Sequence, residues 1–157
     1  MFGIMEATRL ESLHVAQDPA TGLQAIIALH STRLGPALGG CRYLTYSDSH
    51  SAVADAARLA QSMSYKAALA GLSFGGGKAV ILRPVHVPNR GALFEAFGRF
   101  IETLNGRYIT AVDSGTKSED MDCIAQYTQH VTSTRTAGDP SPHTAMGVFA
   151  GIRASAM

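Results

Sequence analysis

A glycine-rich segment that ends in a lysine is the first chemical feature of this sequence. Residues 71–78 read Gly-Leu-Ser-Phe-Gly-Gly-Gly-Lys, and an apolar segment follows. Glycines leave the backbone free of Cβ atoms, so a ligand can approach it closely. Partial burial of Lys78 would favour its neutral amine, the form that acts as a general base. The alternative interpretation is a flexible turn followed by a lysine whose amine extends into solvent.

Known nucleotide and metal motifs do not account for this segment. A phosphate-binding P-loop needs G-x-x-x-x-G-K-[ST], but Leu72 and Ala79 occupy two of its required positions. The dinucleotide fingerprint G-x-G-x-x-G occurs nowhere in the chain. The histidines lack the spacing of metal ligands and the two cysteines lack paired ligands, so we expect no metal site.

Lys66 is a second candidate cation. It follows Met63 by three residues, so both side chains project from one face of a predicted helix, near its end. There the amine could bind a substrate carboxylate and, by like-charge repulsion, favour the neutral form of Lys78. The alternative is a surface lysine that is stabilised near the carboxyl end of a helix.

Asp113 is the candidate proton acceptor. It follows an apolar predicted strand and begins a Ser-Gly-Thr loop. Open α/β sheets place ligand-binding groups at the carboxyl ends of strands, which favours a role in proton transfer. The alternative is an aspartate that binds the N–H groups of its own turn. The Leu38-Gly39-Gly40 segment offers another backbone open to a ligand, or else a tight turn.

Alternating strand and helix patterns must position these residues. Residues 12–17 and 23–30 predict an antiparallel hairpin, and residues 31–47 predict a loop with a short strand near Arg42. Asp48 can cap a helix over residues 48–70 that Gly71 ends. Further strands are predicted at 78–82, 107–112 and 130–132, and further helices at 89–104, at 118–127 and from 141. We therefore expect an α/β fold: a three-layer αβα sandwich with a largely parallel mixed sheet and an antiparallel hairpin at one side.

Composition limits the class of protein. The chain has 157 residues, of which 46% are hydrophobic, and a net charge of +1. That length fits one domain, and the charge does not favour nucleic acid or an anionic membrane as a partner. No apolar stretch is long enough to cross a membrane, the amino terminus does not read as a signal peptide, and two cysteines suggest reduced thiols. We expect a soluble, cytoplasmic domain.

Five segments together carry a family resemblance. Over nearly the whole chain, in order and at the right spacing, the sequence resembles the glutamate/leucine/phenylalanine/valine dehydrogenases, and it is most similar to the leucine dehydrogenases. The segments are Leu34-Gly-Pro-Ala-Leu-Gly-Gly-Cys-Arg42, Ser64-Tyr-Lys-Ala-Ala68, Gly75-Gly-Gly-Lys78, Asn105-Gly-Arg-Tyr-Ile-Thr110 and Pro140-Ser-Pro-His-Thr-Ala145.

The resemblance implies a role for each matching residue. Lys66 would hold the substrate carboxylate, Lys78 would be the catalytic lysine that activates water, and Asp113 would exchange protons with the substrate nitrogen. Thr144 would lie close to the nicotinamide of NAD. The matches that would line the amino-acid pocket are Leu38, Gly39, Gly40, Met63 and Thr132.

The implied reaction is reversible, NAD-dependent oxidative deamination of an apolar L-amino acid, leucine or another branched-chain one, to its 2-oxo acid. The resemblance also implies a homo-oligomer. On this interpretation residues 1–157 are the substrate-binding and catalytic domain, and the NAD-binding Rossmann domain is absent from the chain. The isolated chain is therefore expected to be inactive. The alternative is a truncated, non-enzymatic module that binds amino acids or assembles subunits.

One departure from the family pattern lies beside the expected catalytic aspartate. The relatives usually carry glutamate at the position that Val112 occupies here. Removing a charged neighbour would alter the electrostatic environment of Asp113.

Overall fold

The fold is an α/β arrangement of a mixed sheet between helices. A computed structural model describes residues 1–85 and 89–156. Along the described chain the elements are α1 (Phe2–Thr8), β1 (Ser12–Asp18), β2 (Leu23–Ser31), β3 (Ala37–Leu44), α2 (Ser49–Leu69), β4 (Gly75–Leu82), α3 (Arg90–Glu102), β5 (Tyr108–Val112), α4 (Ser118–Ala125) and α5 (Ser141–Ser155).

The five strands of the described residues lie in the order β1-β2-β4-β3-β5. β1 pairs with β2 as the predicted antiparallel hairpin, and β2 continues antiparallel to β4. β3 lies between β4 and β5 and is parallel to both. This arrangement confirms the mixed sheet, with two parallel and two antiparallel pairings among the described strands. In the parallel half, the chain leaves β4 and β5 at the same edge of the sheet.

Helices cover both faces of the sheet and give the three predicted layers. On one face, α2 packs through a stripe of small residues that includes Ala52, Ala56 and Ala60. On the other face, α3 and α4 form the larger core cluster, with Phe94, Phe97, Met121 and Ile124 fully buried. Because β2 has a core on each face, residues 25–29 are buried without interruption.

The glycines before Lys78 form part of a strand rather than a turn that approaches a ligand. β4 begins at Gly75, and the three glycines are buried within the sheet. A Cβ on Gly76 would lie 2.1 Å from the backbone nitrogen of Ser64 in α2. Glycine is therefore needed here so that α2 can contact the sheet directly. The predicted start of this strand at residue 78 was three residues late.

The short strand predicted near Arg42 is present, but it is longer than the prediction of a largely looped segment over residues 31–47 implied. β3 extends over eight residues and has a neighbouring strand on each side. Glycine has a low β propensity, so the sequence pattern did not reveal the full length of this strand, but packing between β4 and β5 stabilises it. Near residues 130–132 the described structure has a single bridge between Thr110 and Val131 rather than a full strand.

The two terminal helices differ in how they pack. α1 lies beside α2, to which the Gln61 side chain connects it by donating to the Thr8 carbonyl at 3.2 Å. α5 has no buried residue within its bounds, and Met146, Val148, Phe149 and Ile152 are all exposed on it. No helix of the described residues combines the length and apolarity needed to span a membrane. Cys41 and Cys123 are free thiols.

Candidate active site

Three charged residues that the sequence singled out line one pocket at the edge of the parallel half of the sheet. Lys78 belongs to β4, Asp113 follows β5, and Lys66 lies in the last turn of α2. The pocket has a volume of about 480 Å³. Residues from three separate elements therefore face the same space. Only Asp113 follows the carboxyl end of its strand, whereas Lys78 lies in the middle of β4.

Lys78 and Asp113 form an ion pair in this pocket. The Lys78 amine donates to Oδ2 of Asp113, and the Lys78 side chain is only 8% exposed. The lysine therefore does not extend into solvent, in contrast to the alternative interpretation of the glycine-rich segment. A lysine buried against a carboxylate can transfer a proton without exchanging it with bulk water.

The local turn also holds the Asp113 carboxylate. Oδ1 accepts the Ser114 backbone N–H at 2.6 Å, and the Asp113 backbone N–H donates to Oγ1 of Thr116 at 2.8 Å. Burial by itself would raise the pKa of Asp113. The hydrogen bond and charge of Lys78, the Ser114 N–H and the charge of Arg42 outweigh that effect, so the pKa lies below its ordinary value. Asp113 is thus both a turn-binding aspartate and a pocket carboxylate.

Gly40 makes room for this ion pair. It lies in β3, between the strands that carry Lys78 and Asp113. A Cβ on Gly40 would lie 2.8 Å from the Cβ of Asp113 and 2.7 Å from the Val112 carbonyl oxygen. Because Gly40 has no side chain, the side chains of Lys78 and Asp113, one on each side of β3, can meet above it.

Lys66 lies at the rim of the pocket and is exposed. Within the described part of the chain it makes no ion pair. Its amine is therefore available to an anionic ligand, but it also fits the alternative of a lysine placed favourably in the last turn of a helix.

Every other predicted site residue lines the same pocket, and some lining residues were not predicted. The predicted residues are Leu38, Gly39, Gly40, Met63, Thr132 and Thr144. The additional ones are Ala111, Val112, Ser133 and Pro140. Alternation along β5 could have identified Ala111, because it lies two residues before Asp113 and so projects from the same face. The sequence held no comparable signal for Ser133, whose backbone has a positive φ of 59°.

Arg42 is a charged residue near the site whose contact with Asp113 the sequence did not reveal. Its Nε lies 3.4 Å from Oδ2 of Asp113, and its NH1 donates to Oδ2 of Asp55 at 2.9 Å. Asp113 thus has two cations beside the same carboxylate oxygen.

A second pocket of about 600 Å³ adjoins the first. Val112, Asp113, Pro140 and Thr144 line both pockets. Hydroxyls of Ser114, Thr116 and Ser141 are among the additional lining groups of the second pocket. Within residues 1–85 and 89–156, no group of three or more His, Cys, Asp or Glu side chains has the arrangement of a metal site.

The mixed sheet with helices on both faces defines the class as α/β, and its parallel half carries a pocket with a lysine–aspartate ion pair. The family described as "Glu/Leu/Phe/Val dehydrogenase, dimerisation domain" matches residues 9–130. The chain belongs to this family and corresponds to the amino-terminal domain of amino-acid dehydrogenases.

Individual relatives are similar at high identity. Over 160 residues the chain is 51% identical to a leucine dehydrogenase of Bacillus subtilis, a match that covers 99% of the chain and 44% of the relative. It is 50% identical over 150 residues to a valine dehydrogenase of Streptomyces virginiae, covering 93% of the chain and 42% of the relative. The chain therefore spans less than half the length of these relatives.

A solved structure of an L-tryptophan dehydrogenase from Nostoc punctiforme has the same fold, with a TM-score of 0.82 and 39% identity. That match covers 98% of this chain and 44% of the solved one.

Proposed function

We propose that this chain forms the substrate side of an NAD-dependent dehydrogenase that oxidatively deaminates an apolar L-amino acid, leucine or another branched-chain one. The observation that carries the proposal is the ion pair of buried Lys78 with half-buried Asp113, at a pocket whose rim holds the available Lys66 amine. Membership of a family that includes leucine and valine dehydrogenases supports this assignment.

Each charged group has a distinct part in the proposed reaction. The Lys66 amine binds the substrate α-carboxylate and thereby orients Cα above the Lys78–Asp113 pair. Lys78, in its neutral form, accepts a proton from the water that attacks the substrate carbon. Asp113 exchanges protons with the substrate nitrogen, for which its low pKa keeps it ionised and able to accept. NAD, when bound, supplies the acceptor for the hydride that leaves Cα.

Apolar lining residues support an apolar substrate side chain. Leu38, Met63 and Ala111 supply apolar surface to the pocket. The cations among its described lining residues are Lys66 and Lys78, both of which already have a role in this scheme. A side-chain carboxylate would consequently lack a cation to pair with, and its burial would be unfavourable.

The junction of the two pockets fits the nicotinamide end of NAD. Thr144 lies near the start of α5 and lines both pockets. Its hydroxyl donates to the Pro140 carbonyl at 3.2 Å, which leaves its oxygen able to accept from a carboxamide N–H. We assign Thr144 to this contact. A separate Rossmann domain, homo-oligomeric assembly and a cytoplasmic location remain predictions, of which assembly is supported by the description of the matched region as a dimerisation domain.

Ligand binding to the 157-residue chain tests the proposal directly. We expect calorimetry to detect binding of 4-methyl-2-oxopentanoate, and Lys66→Ala to weaken it about tenfold through loss of one charge-assisted contact. Lys117→Ala is the matched control, because Lys117 lines the second pocket but not the first. We expect 2-oxoglutarate, with its second carboxylate, to bind more weakly than the branched oxo acid.

Two results would contradict the proposal. Equal affinity of the parent chain and Lys66→Ala would remove the carboxylate assignment. Equal or tighter binding of 2-oxoglutarate would remove the assignment of an apolar substrate.

A further inference from the structure

The guanidinium of Arg42 has a nitrogen that its other contacts leave unused. Nε of Arg42 is buried and has no hydrogen-bond partner within the described residues. Such an unsatisfied buried donor is costly, and it calls for a specific explanation. Its nearest anion is Oδ2 of Asp113, at 3.4 Å.

The rest of the guanidinium is anchored. NH1 of Arg42 donates to Oδ2 of Asp55 in α2 at 2.9 Å. The Asp55 carboxylate is itself held at 2.8 Å by the hydroxyl of Tyr46 and at 2.8 Å by NH2 of Arg58. Because a guanidinium is planar and rigid, fixing NH1 also fixes the direction of the Nε–H bond.

The charged groups around Asp113 come from several elements. Lys78 in β4 contacts Oδ2, and Arg42 in β3 approaches the same oxygen. Lys66 in α2 lines the same pocket as Asp113. Oδ1 is bound by Ser114. Oδ2 is thus shared by a cation that can lose its proton and a cation that cannot, since arginine stays charged at all ordinary pH values.

This difference matters during the proposed reaction. Lys78 must be neutral to accept a proton. In that state it no longer provides a positive charge beside the Asp113 carboxylate. Arg42 keeps its charge, so it can retain the carboxylate in place and ionised. We propose that Arg42, anchored by Asp55, is a positioning residue that holds Oδ2 of Asp113 whenever Lys78 is uncharged. The inference rests on the proposed function, because it assumes proton transfer by Lys78 and Asp113.

Titration of Asp113 in chains where Lys78 has lost its charge tests the inference without any substrate. The probe is the ¹³C carboxyl signal of Asp113 in the labelled 157-residue chain, with Lys78→Met as the permanently uncharged background. We expect the Asp113 midpoint to rise in Lys78→Met, which removes the largest lowering contact, and to rise by about one further pH unit when Arg42→Gln is added. Arg42→Lys, which keeps a positive charge, should restore most of the lower midpoint.

Arg58→Gln in the same background is the matched control. Arg58 also binds Asp55, but its side chain is 64% exposed and makes no ion pair with Asp113 among the described residues. It should therefore leave the Asp113 midpoint within about 0.3 pH unit, because solvent screens its charge. Equal midpoints in Lys78→Met and Lys78→Met/Arg42→Gln, or equal rises with Arg42→Gln and Arg58→Gln, would overturn the inference.

Two further measurements keep the test decisive if the Arg42→Gln variant does not fold. Arg42→Met, whose unbranched apolar side chain can replace the arginine stem, should give the same rise. In the unaltered chain, the ¹⁵Nε signal of Arg42 should shift with the Asp113 midpoint, and a signal insensitive to that titration would overturn the inference. Failure of oxo-acid binding would count against the proposed function but would leave these titrations unchanged.

Discussion

The Lys78 amine and the Asp113 carboxylate meet above Gly40. Gly40 belongs to β3, the strand that separates β4 from β5. The two charged residues are 35 positions apart in the chain. Lys78 lies in β4 and Asp113 follows β5, and these two strands are not neighbours in the sheet. The pair therefore depends on the order of the strands and on a glycine between them. Its energetics and its pH dependence can be measured.

Neutralising Asp113 should destabilise the fold. Asp113→Asn keeps an oxygen for the Ser114 N–H but leaves the buried Lys78 amine without its paired anion. We expect a loss of about 2 kcal/mol in the free energy of unfolding at pH 7, measured in urea. Asp122→Asn, which breaks the more exposed pair with Arg135, should change stability little. Equal stability of the Asp113→Asn variant and the native chain would show that the ion pair contributes nothing net.

Low pH should remove the contribution of the Lys78–Asp113 ion pair to the free energy of unfolding. Burial alone would raise the pKa of Asp113, but Lys78, the Ser114 N–H and Arg42 together outweigh that effect, so the pKa lies below its ordinary value in the folded chain. The folded state therefore binds fewer protons than the unfolded state, whose aspartates titrate near about pH 3.9. Stability from this group is complete above that pH and is lost as the pH falls through the unfolded pKa towards the folded one.

We expect the stability difference between the native chain and Asp113→Asn to shrink between about pH 5 and pH 2. Urea unfolding at several pH values measures it. A difference that stays constant over this range would contradict a lowered Asp113 pKa.

Gly76 should be intolerant of any side chain. The Cβ of an alanine would meet the backbone nitrogen of Ser64 at 2.1 Å, and neither β4 nor α2 can move without disturbing the core. Gly76→Ala should cost about 3 kcal/mol in unfolding free energy. Gly147→Ala in α5 is the control, since its Cβ would meet nothing within 4 Å and should favour the helix. Similar stabilities of the two variants would refute the close contact between α2 and the sheet.

Alone, the 157-residue chain should not form NADH from leucine and NAD. Its sequence has no dinucleotide fingerprint, so it lacks the phosphate-binding turn that usually holds this cofactor. Absorbance at the NADH band should stay at the level of Lys78→Met, the inactive control. Formation of NADH that disappears on Lys78→Met would contradict the assignment of cofactor binding to another domain.

Local signals were sufficient for several elements. Asp48 caps α2 by accepting the Ser51 N–H at 2.7 Å, and Asn89 caps α3 by accepting the Ala92 N–H at 3.1 Å. Both helices lie within the predicted ranges. The hairpin over residues 12–30 was predicted equally well, because its turn residues and its two strands are adjacent in sequence.

Glycine-rich strands were the main failure. β3 and the start of β4 contain residues with low β propensity, so their sequences resemble loops. Gly76 belongs to a strand only because α2 lies close above it, and that neighbour comes from a different part of the chain.

For the candidate site, the sequence by itself determined which residues carry charge and hydroxyls, and their motifs indicated the family. It placed Lys78 and Asp113 beside apolar segments, and so near the edge of a sheet. Only the tertiary structure decided that the Lys78 amine contacts Oδ2 of Asp113 and that Gly40 leaves space for this contact. It also decided that Nε of Arg42, from β3, lies near the same oxygen. The physical reason is that strand order and helix packing set these distances, and a pattern of local spacing contains neither.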